Sequence, residues 1–168
     1  MRTLLTAALL GTLLCVPFAL AQDVDIEFDE SVNFGNYKTF RMGAGDVNAK
    51  APALNNDLVR RRIENELRAR LIAKKLTEVT GAADLTVRYS LGSTQRTDAT
   101  AIPAGRLGRQ RRVVRTRYTE GTLIIDLVAT RELVWRAIVT EDEKDPAKIA
   151  GKLDEMVKKA IDKYPPKK

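Results

Sequence analysis

The 168-residue chain contains no histidine. Histidine is the commonest general base near neutral pH and the commonest metal ligand, so a His-dependent triad, a Cys–His pair and a zinc hydrolase are excluded together. Cysteine occurs once, at Cys15, inside an apolar stretch near the start. Once that stretch is removed, no disulfide, thiol nucleophile or thiolate metal site can form. Aromatics are few: four Phe, four Tyr and one Trp. Acidic residues are also in deficit, 22 Asp+Glu against 29 Lys+Arg, for a formal charge of +7. Such a balance favours acidic partners, namely anionic lipid headgroups, lipopolysaccharide, acidic polymers or acidic proteins. There is no Asp-rich loop with calcium spacing, so no metal is expected, and no cofactor motif is present.

The N-terminal residues carry the pattern of an export leader. Arg2 is a minimal basic region, and no further charge appears before Asp23. Between them Leu4, Leu5, Ala7–Leu10, Leu13 and Leu14 form an apolar core that Pro17 breaks, and Ala19-Leu20-Ala21 reads as a small-x-small cleavage site. The expectation is a signal peptide over 1–21 and a single domain over 22–168, periplasmic or secreted, with no transmembrane segment after cleavage. Lipidation at Cys15 is the lesser alternative, because Leu13-Leu14 stand where that processing needs a small residue. Export in turn makes nucleic acid an unsuitable partner.

Val24, Ile26 and Phe28 alternate with Asp25, Glu27 and Asp29, the period of a strand with one wet face. Tyr37–Met42 reads as a second strand and Gly43–Pro52 as a loop. Asn55, Asn56 and Asp57 offer N-caps for a helix to about Leu76, with Val59, Ile63, Leu67 and Leu71 as its stripe, flanked by Leu58 and Ile72. On its outer face Arg60 and Arg61 are spaced to pair with Glu64 and Asn65. Leu85–Leu91 alternates as a strand, and Thr94–Arg109 is polar enough to read as a long loop or mobile hairpin tip. Arg111–Tyr118, Thr122–Ala129 and Leu133–Thr140 then read as three antiparallel strands, turning at Thr119-Glu120-Gly121 and Thr130-Arg131-Glu132. A three-residue second turn sets Ala129 opposite Leu133, Leu127 opposite Trp135 and Asp126 opposite Arg136. That register buries Leu123, Ile125, Leu127, Trp135 and Val139 together and predicts an Asp126–Arg136 ion pair. Asp145 and Pro146 open a final helix whose Ile149, Leu153, Val157, Ile161 and Tyr164 share a face. The expected fold is α+β: an antiparallel sheet of about five to six strands, with a C-terminal three-strand meander, against two main helices.

Several phrases resemble a bacterial envelope family catalogued only as a domain of unknown function (number four-one-three-six). They are the stretch Phe28–Phe40, the stretch Ala83–Tyr89, the pair Gly121–Leu127 and Val134-Trp135-Arg136, and the close Tyr164-Pro165-Pro166. The resemblance spans nearly all of the chain beyond the leader. It implies a secreted or lipoprotein-like protein with an antiparallel sheet and helices, and it brings no activity and no functional residue. Many members carry a lipobox cysteine that Cys15 does not match, and Ala137 stands where the family often has glycine.

The most unusual feature is a basic segment: Arg106, Arg109, Arg111, Arg112, Arg115 and Arg117 fall within twelve positions with no acid among them. Guanidinium forks suit phosphate, so these six are the candidate anion-binding residues; the bland alternative is a solvated strand edge whose charges prevent aggregation. Among carboxylates Asp84, Asp98, Glu120 and Asp126 are candidates for acid–base work, but each has an ordinary role in a strand start, loop, turn or ion pair. Trp135 and Tyr89 lie on apolar alternations and belong to the core. The sequence therefore reads as an exported, non-enzymatic binding or assembly domain with no catalytic, cofactor or metal residue. Two alternatives remain open: peripheral attachment to anionic envelope lipid or lipopolysaccharide through Arg106–Arg117, and a carboxylate-dependent hydrolase of envelope polymers.

Overall fold

A computed structural model describes residues 23–104 and 110–167. The leader, Cys15, the cleavage site and Lys168 lie outside the described residues. The elements in chain order are β1 (Asp23–Phe28), a 3-10 turn (Phe34–Asn36), β2 (Thr39–Ala49), α1 (Asp57–Ala73), β3 (Thr77–Glu78), β4 (Leu85–Ala104), β5 (Gln110–Ala129), β6 (Glu132–Glu143) and α2 (Pro146–Asp162). The strands form one six-stranded sheet in the order β1-β6-β5-β4-β2-β3. The fold is α+β, with a mixed rather than an all-antiparallel sheet. β2 runs parallel to both β4 and β3, and α1 supplies the crossover that parallel neighbours require.

Asn56 caps α1 by accepting from Val59 N at 3.0 Å, and Asp145 caps α2 by accepting from Ala147 N at 3.0 Å, with Pro146 at the first turn. Both helices bury an apolar stripe on the same side of the sheet. Val59, Ile63, Leu67 and Leu71 of α1, with Ile149, Leu153, Val157 and Ile161 of α2, close over Leu85, Val87, Leu91, Leu123, Ile125, Leu127, Trp135 and Val139. Arg62 reaches across from α1 to grip Asp154 of α2, with Nε and Nη2 each 2.7 Å from a carboxylate oxygen. Among the described residues the other sheet face carries no helix, and it presents Thr122, Ile124, Asp126, Arg136, Ile138 and Thr140.

Several sequence expectations are corrected. The polar stretch Thr94–Arg109 is no loop over its described part: β4 continues to Ala104 and pairs with β5 as far as Gln110. Its alternation is invisible because neither face of that ribbon meets a core. Thr119-Glu120-Gly121 makes no turn, and β5 runs straight through it. Gly121 is there because a Cβ would lie 2.8 Å from Ile149 Cγ2 of α2, a close approach rather than a bend. The three-strand meander is consequently β4-β5-β6. Its second turn has two residues, Thr130 and Arg131, so Ala129 faces Glu132, not Leu133. A register shift between Leu127 and Val128 absorbs the difference, and Leu127 still faces Trp135 and Asp126 still faces Arg136.

In the first half of the chain, Gly43–Ala49 belongs to β2, with an irregularity between Met42 and Gly45, rather than to a loop. Helix α1 ends at Ala73, and Lys75 adopts a left-handed φ of 68° that turns the chain away. Leu58 and Ile72 are exposed, outside the buried stripe. Arg60 donates to Gly45 O at 2.6 Å instead of pairing with Glu64, which Arg68 engages at 3.5 Å.

The phrases that carry the family resemblance converge in space. Phe34 packs edge-on against Phe28, Tyr37 and Tyr164, with centroids 6.2, 6.2 and 5.8 Å apart, and Tyr164 meets Trp135 at 5.7 Å. Beside this cluster one oxygen of Asp84 accepts from Lys38 N (2.9 Å), Thr39 N (2.8 Å) and Thr39 Oγ1 (2.8 Å). These bonds hold its carboxyl below the usual carboxylate range and pin the start of β2 to the start of β4. The shared phrases thus close the fold.

Burial pushes the Tyr164 phenol up to about 12, helped by Tyr37 nearby, and burial with the Glu64 hydrogen bond raises Tyr89 as well. Unfolding lets both ionise near the ordinary value of about 10. Their contribution is therefore fully present below pH 10 and is lost as pH rises through the folded-state value, at up to about 1.4 kcal/mol per pH unit for each group. Among the described residues the Tyr164 hydroxyl has no hydrogen-bond partner. Tyr164→Phe should accordingly leave stability at pH 7 intact and flatten the alkaline loss in urea melts at pH 9 to 12. A steeper alkaline loss in the variant would contradict this assignment.

Candidate functional site

Two strands outgrow the sheet. β2 last pairs with β4 at Ala49↔Ser93, and β6 last pairs with β5 at Thr119↔Glu143. Beyond those points the ladder from Arg96↔Tyr118 to Ala104↔Gln110 has no third strand among the described residues. At about 3.4 Å per residue it projects roughly 27 Å as a two-stranded arm. Thr97, Thr100, Val113, Val114 and Thr116 supply the β-branched residues that favour extended chain without a core.

Alternation sorts the arm's side chains. Arg111, Val113, Arg115 and Arg117 share one face; Arg112, Val114, Thr116 and Tyr118 share the other. Arg111, Arg112, Arg115 and Arg117 are all exposed, and among the described residues none forms an ion pair. Arg106 and Arg109 lie outside the described residues. Val113 stands 58% exposed on the face of Arg111, Arg115 and Arg117, and Val114 38% exposed on the face it shares with Arg112. Four unpaired cations interleaved with two exposed valines form a surface suited to anionic headgroups with an apolar layer beneath.

At the root of the arm the charge changes sign. Arg96, which sequence reasoning had not singled out, is neutralised by Glu120, with Nε 2.7 Å from Oε2 and Nη2 2.7 Å from Oε1. Glu120 lies opposite Asp142 in the register, and a cleft of about 390 Å³ beside them is lined by Asp98, Tyr118, Asp142, Glu143, Lys144 and Lys148. Desolvation first, then the charges of Glu120, Glu141 and Asp98, raise the Asp142 carboxyl. Glu143 is held by Lys152 at 2.7 Å, and Lys152 also bonds Glu141. Of the four carboxylates weighed from sequence, Asp98 and Glu120 come near Asp142. Asp84 is a backbone cap, and Asp126 receives Arg136 in two parallel bonds of 2.7 and 2.9 Å. Among the described residues no group of three acidic side chains is arranged to hold a metal. No helix among them is long and apolar enough to cross a membrane.

Comparison with solved structures places the fold among bacterial proteins. A PDZ domain protein from Parabacteroides distasonis aligns with a TM-score of 0.61 and 16% identity, over 86% of this chain and 36% of that one. The chain thus spans about a third of that protein. A protein from Bacteroides thetaiotaomicron, titled as a DUF4136 family member, aligns with a TM-score of 0.52 and 15% identity, over 86% and 96% of the two chains. At these identities the likeness is one of fold alone. No curated protein matches the sequence. A family model described as "Domain of unknown function (DUF4136)" matches residues 24–166.

Proposed function

The chain belongs to the DUF4136 family, and from that premise and the arm's geometry we propose that it is an exported envelope domain that binds phosphate-bearing anionic lipid, without catalysis, through Arg111, Arg112, Arg115 and Arg117. The observation that carries this reading is the placement of four exposed, unpaired arginines on a ribbon that contributes nothing to the core. Structural cations in this protein find partners: Arg62, Arg68, Arg70, Arg96 and Arg136 all pair with acids. The arm arginines pair with no acid among the described residues, and they stand where a partner surface can approach. Export is supported by the leader pattern over 1–21 and sets the partner as envelope lipid or lipopolysaccharide, whose headgroups share phosphate chemistry. The absence of histidine argues against hydrolysis, and Asp84, Glu120 and Asp126 are engaged in a backbone cap and two ion pairs.

A basic residue near an anionic bilayer contributes about 1 kcal/mol, roughly fivefold in affinity, and the attraction falls off within a Debye length. Arg111→Gln/Arg112→Gln/Arg115→Gln should therefore weaken sedimentation with phosphatidylglycerol vesicles by roughly a hundredfold at low salt. Raising the salt should erase wild-type binding, and phosphatidylcholine vesicles should never sediment the protein. Equal binding by variant and wild type would overturn the reading. Mass spectrometry of the native mature protein should find an N terminus at Gln22.

A further inference from the structure

At the end of the sheet opposite the arm, the helix-free face is hollowed into a cleft of about 490 Å³. Three arginines line it, Arg41 from β2, Arg88 from β4 and Arg131 from the β5–β6 turn, and none of its lining residues is acidic. Arg88 lies opposite Asp126 in the ladder, yet both Asp126 oxygens are engaged by Arg136 at 2.7 and 2.9 Å. The Arg136 pair thereby withdraws the one carboxylate whose register position faces Arg88. Among the described residues Arg41, Arg88 and Arg131 form no ion pair.

The cleft is also built on fixed parts. Arg41 Nε donates to Thr86 Oγ1 at 3.0 Å, which orients its guanidinium along the sheet. Thr86 and Val128, a cross-strand pair, form the floor. The rim at Thr130 and Arg131 carries positive φ values of 48° and 77° in residues that are neither glycine nor asparagine. Two-residue hairpins ordinarily place Asn-Gly there, and a β-branched residue at positive φ is a true outlier. Such strain persists where a side chain is needed, and here it sets Thr130 and Arg131 against the cleft.

We propose that this cleft is a binding site for a small organic phosphate, with Arg41, Arg88 and Arg131 as its anion ligands. Planar guanidiniums converging from three elements match the oxygens of a phosphate dianion, each offering charge-assisted forked bonds. The volume falls in the range of small-molecule sites and exceeds what a bare phosphate fills, so the ligand has an organic part beside its phosphate. Thr86 and Thr130 add hydroxyls suited to that polar remainder. The site lies roughly 40 Å along β4 from the middle of the arm, and it is independent of the arm's partner.

Calorimetric titration of the full chain with glucose 6-phosphate, inorganic phosphate, dihexanoyl phosphatidic acid and glucose tests the site at fixed ionic strength. The expected result is saturable one-to-one binding of an organic phosphate, weaker binding of inorganic phosphate, and none of glucose. Preference between the sugar phosphate and the short-chain lipid identifies the source of the phosphate. Arg88→Gln and Arg131→Gln should each weaken binding at least tenfold, and Arg61→Gln, on the exposed face of α1, should leave it unchanged. Arg136→Gln, outside the cleft, should also weaken it, because Asp126 is then released to face Arg88. Absence of saturable binding by either organic phosphate, or undiminished affinity in both Arg88→Gln and Arg131→Gln, would overturn the proposal. Either failure leaves vesicle binding by the arm unaffected.

Discussion

Trp135→Ala should lower stability by about 3–5 kcal/mol, the range for removing a large buried aromatic. Trp135 is fully buried, faces Phe28 of β1 on one side and Leu127 of β5 on the other, and stacks edge-on against Tyr164. It therefore joins the edge strand, the central sheet and the C-terminal close, and its loss leaves a cavity that three elements cannot collapse together. Its indole Nε1 has no hydrogen-bond partner among the described residues, so the loss is one of volume and packing. Trp135→Phe should consequently recover most of it. Chemical denaturation followed by circular dichroism measures both variants. In the wild type the single tryptophan makes intrinsic fluorescence a direct report on this cluster. An alanine variant within 1 kcal/mol of wild type would show that the cluster carries little of the fold.

Gly45→Ala should be nearly as damaging, at about 3 kcal/mol, for the opposite reason. A Cβ there would lie 2.0 Å from Tyr89 Cζ and 2.3 Å from both its Cε1 and its hydroxyl oxygen. The ring cannot swing aside, because Tyr89 is buried and its hydroxyl donates to Glu64 of α1 at 3.0 Å. Nor can the strand retreat freely, since Gly45 O accepts from Arg60 Nη1 at 2.6 Å. Gly45 of β2 thus meets Tyr89 of β4 and Arg60 of α1 at once. In a Tyr89→Leu background the same substitution should cost much less, a coupling that a double-mutant cycle detects. Additive losses would show that Tyr89 is not the obstacle.

Glycine is where sequence reasoning and structure parted. Gly43, Gly45 and Gly121 read as turn formers, because in an isolated sequence a glycine between apolar runs most often marks a bend. Each is a place where a side chain from another element needs the room, Thr86, Tyr89 and Ile149 respectively, and those neighbours are distant in sequence. By contrast, the stripes of α1 and α2, the Asp145–Pro146 start and the β5–β6 pairing were legible, because each depends on a local period or on matching two apolar sets. The register of Leu127 with Trp135 was inferred from a three-residue turn that the chain does not have; it holds because burial favours it and an irregularity between Leu127 and Val128 absorbs the shorter turn. The arm was half legible. Its arginines stood out and Arg111–Tyr118 read as a strand, while the strand character of Thr94–Ala104 was hidden by the lack of any core beneath it. The Arg41–Arg88–Arg131 cleft left no sequence signal, since its parts lie 90 positions apart and only the sheet assembles them.

Excising the arm tests most directly whether it is a binding device rather than a part of the fold. Joining Arg96 to Tyr118 through Asn-Gly removes every ladder pair beyond Arg96↔Tyr118 and keeps the register below it. The shortened protein should unfold at the same denaturant midpoint by Trp135 fluorescence, while its sedimentation with phosphatidylglycerol vesicles at low salt disappears. Vesicle binding undiminished in a folded, armless chain would contradict the account.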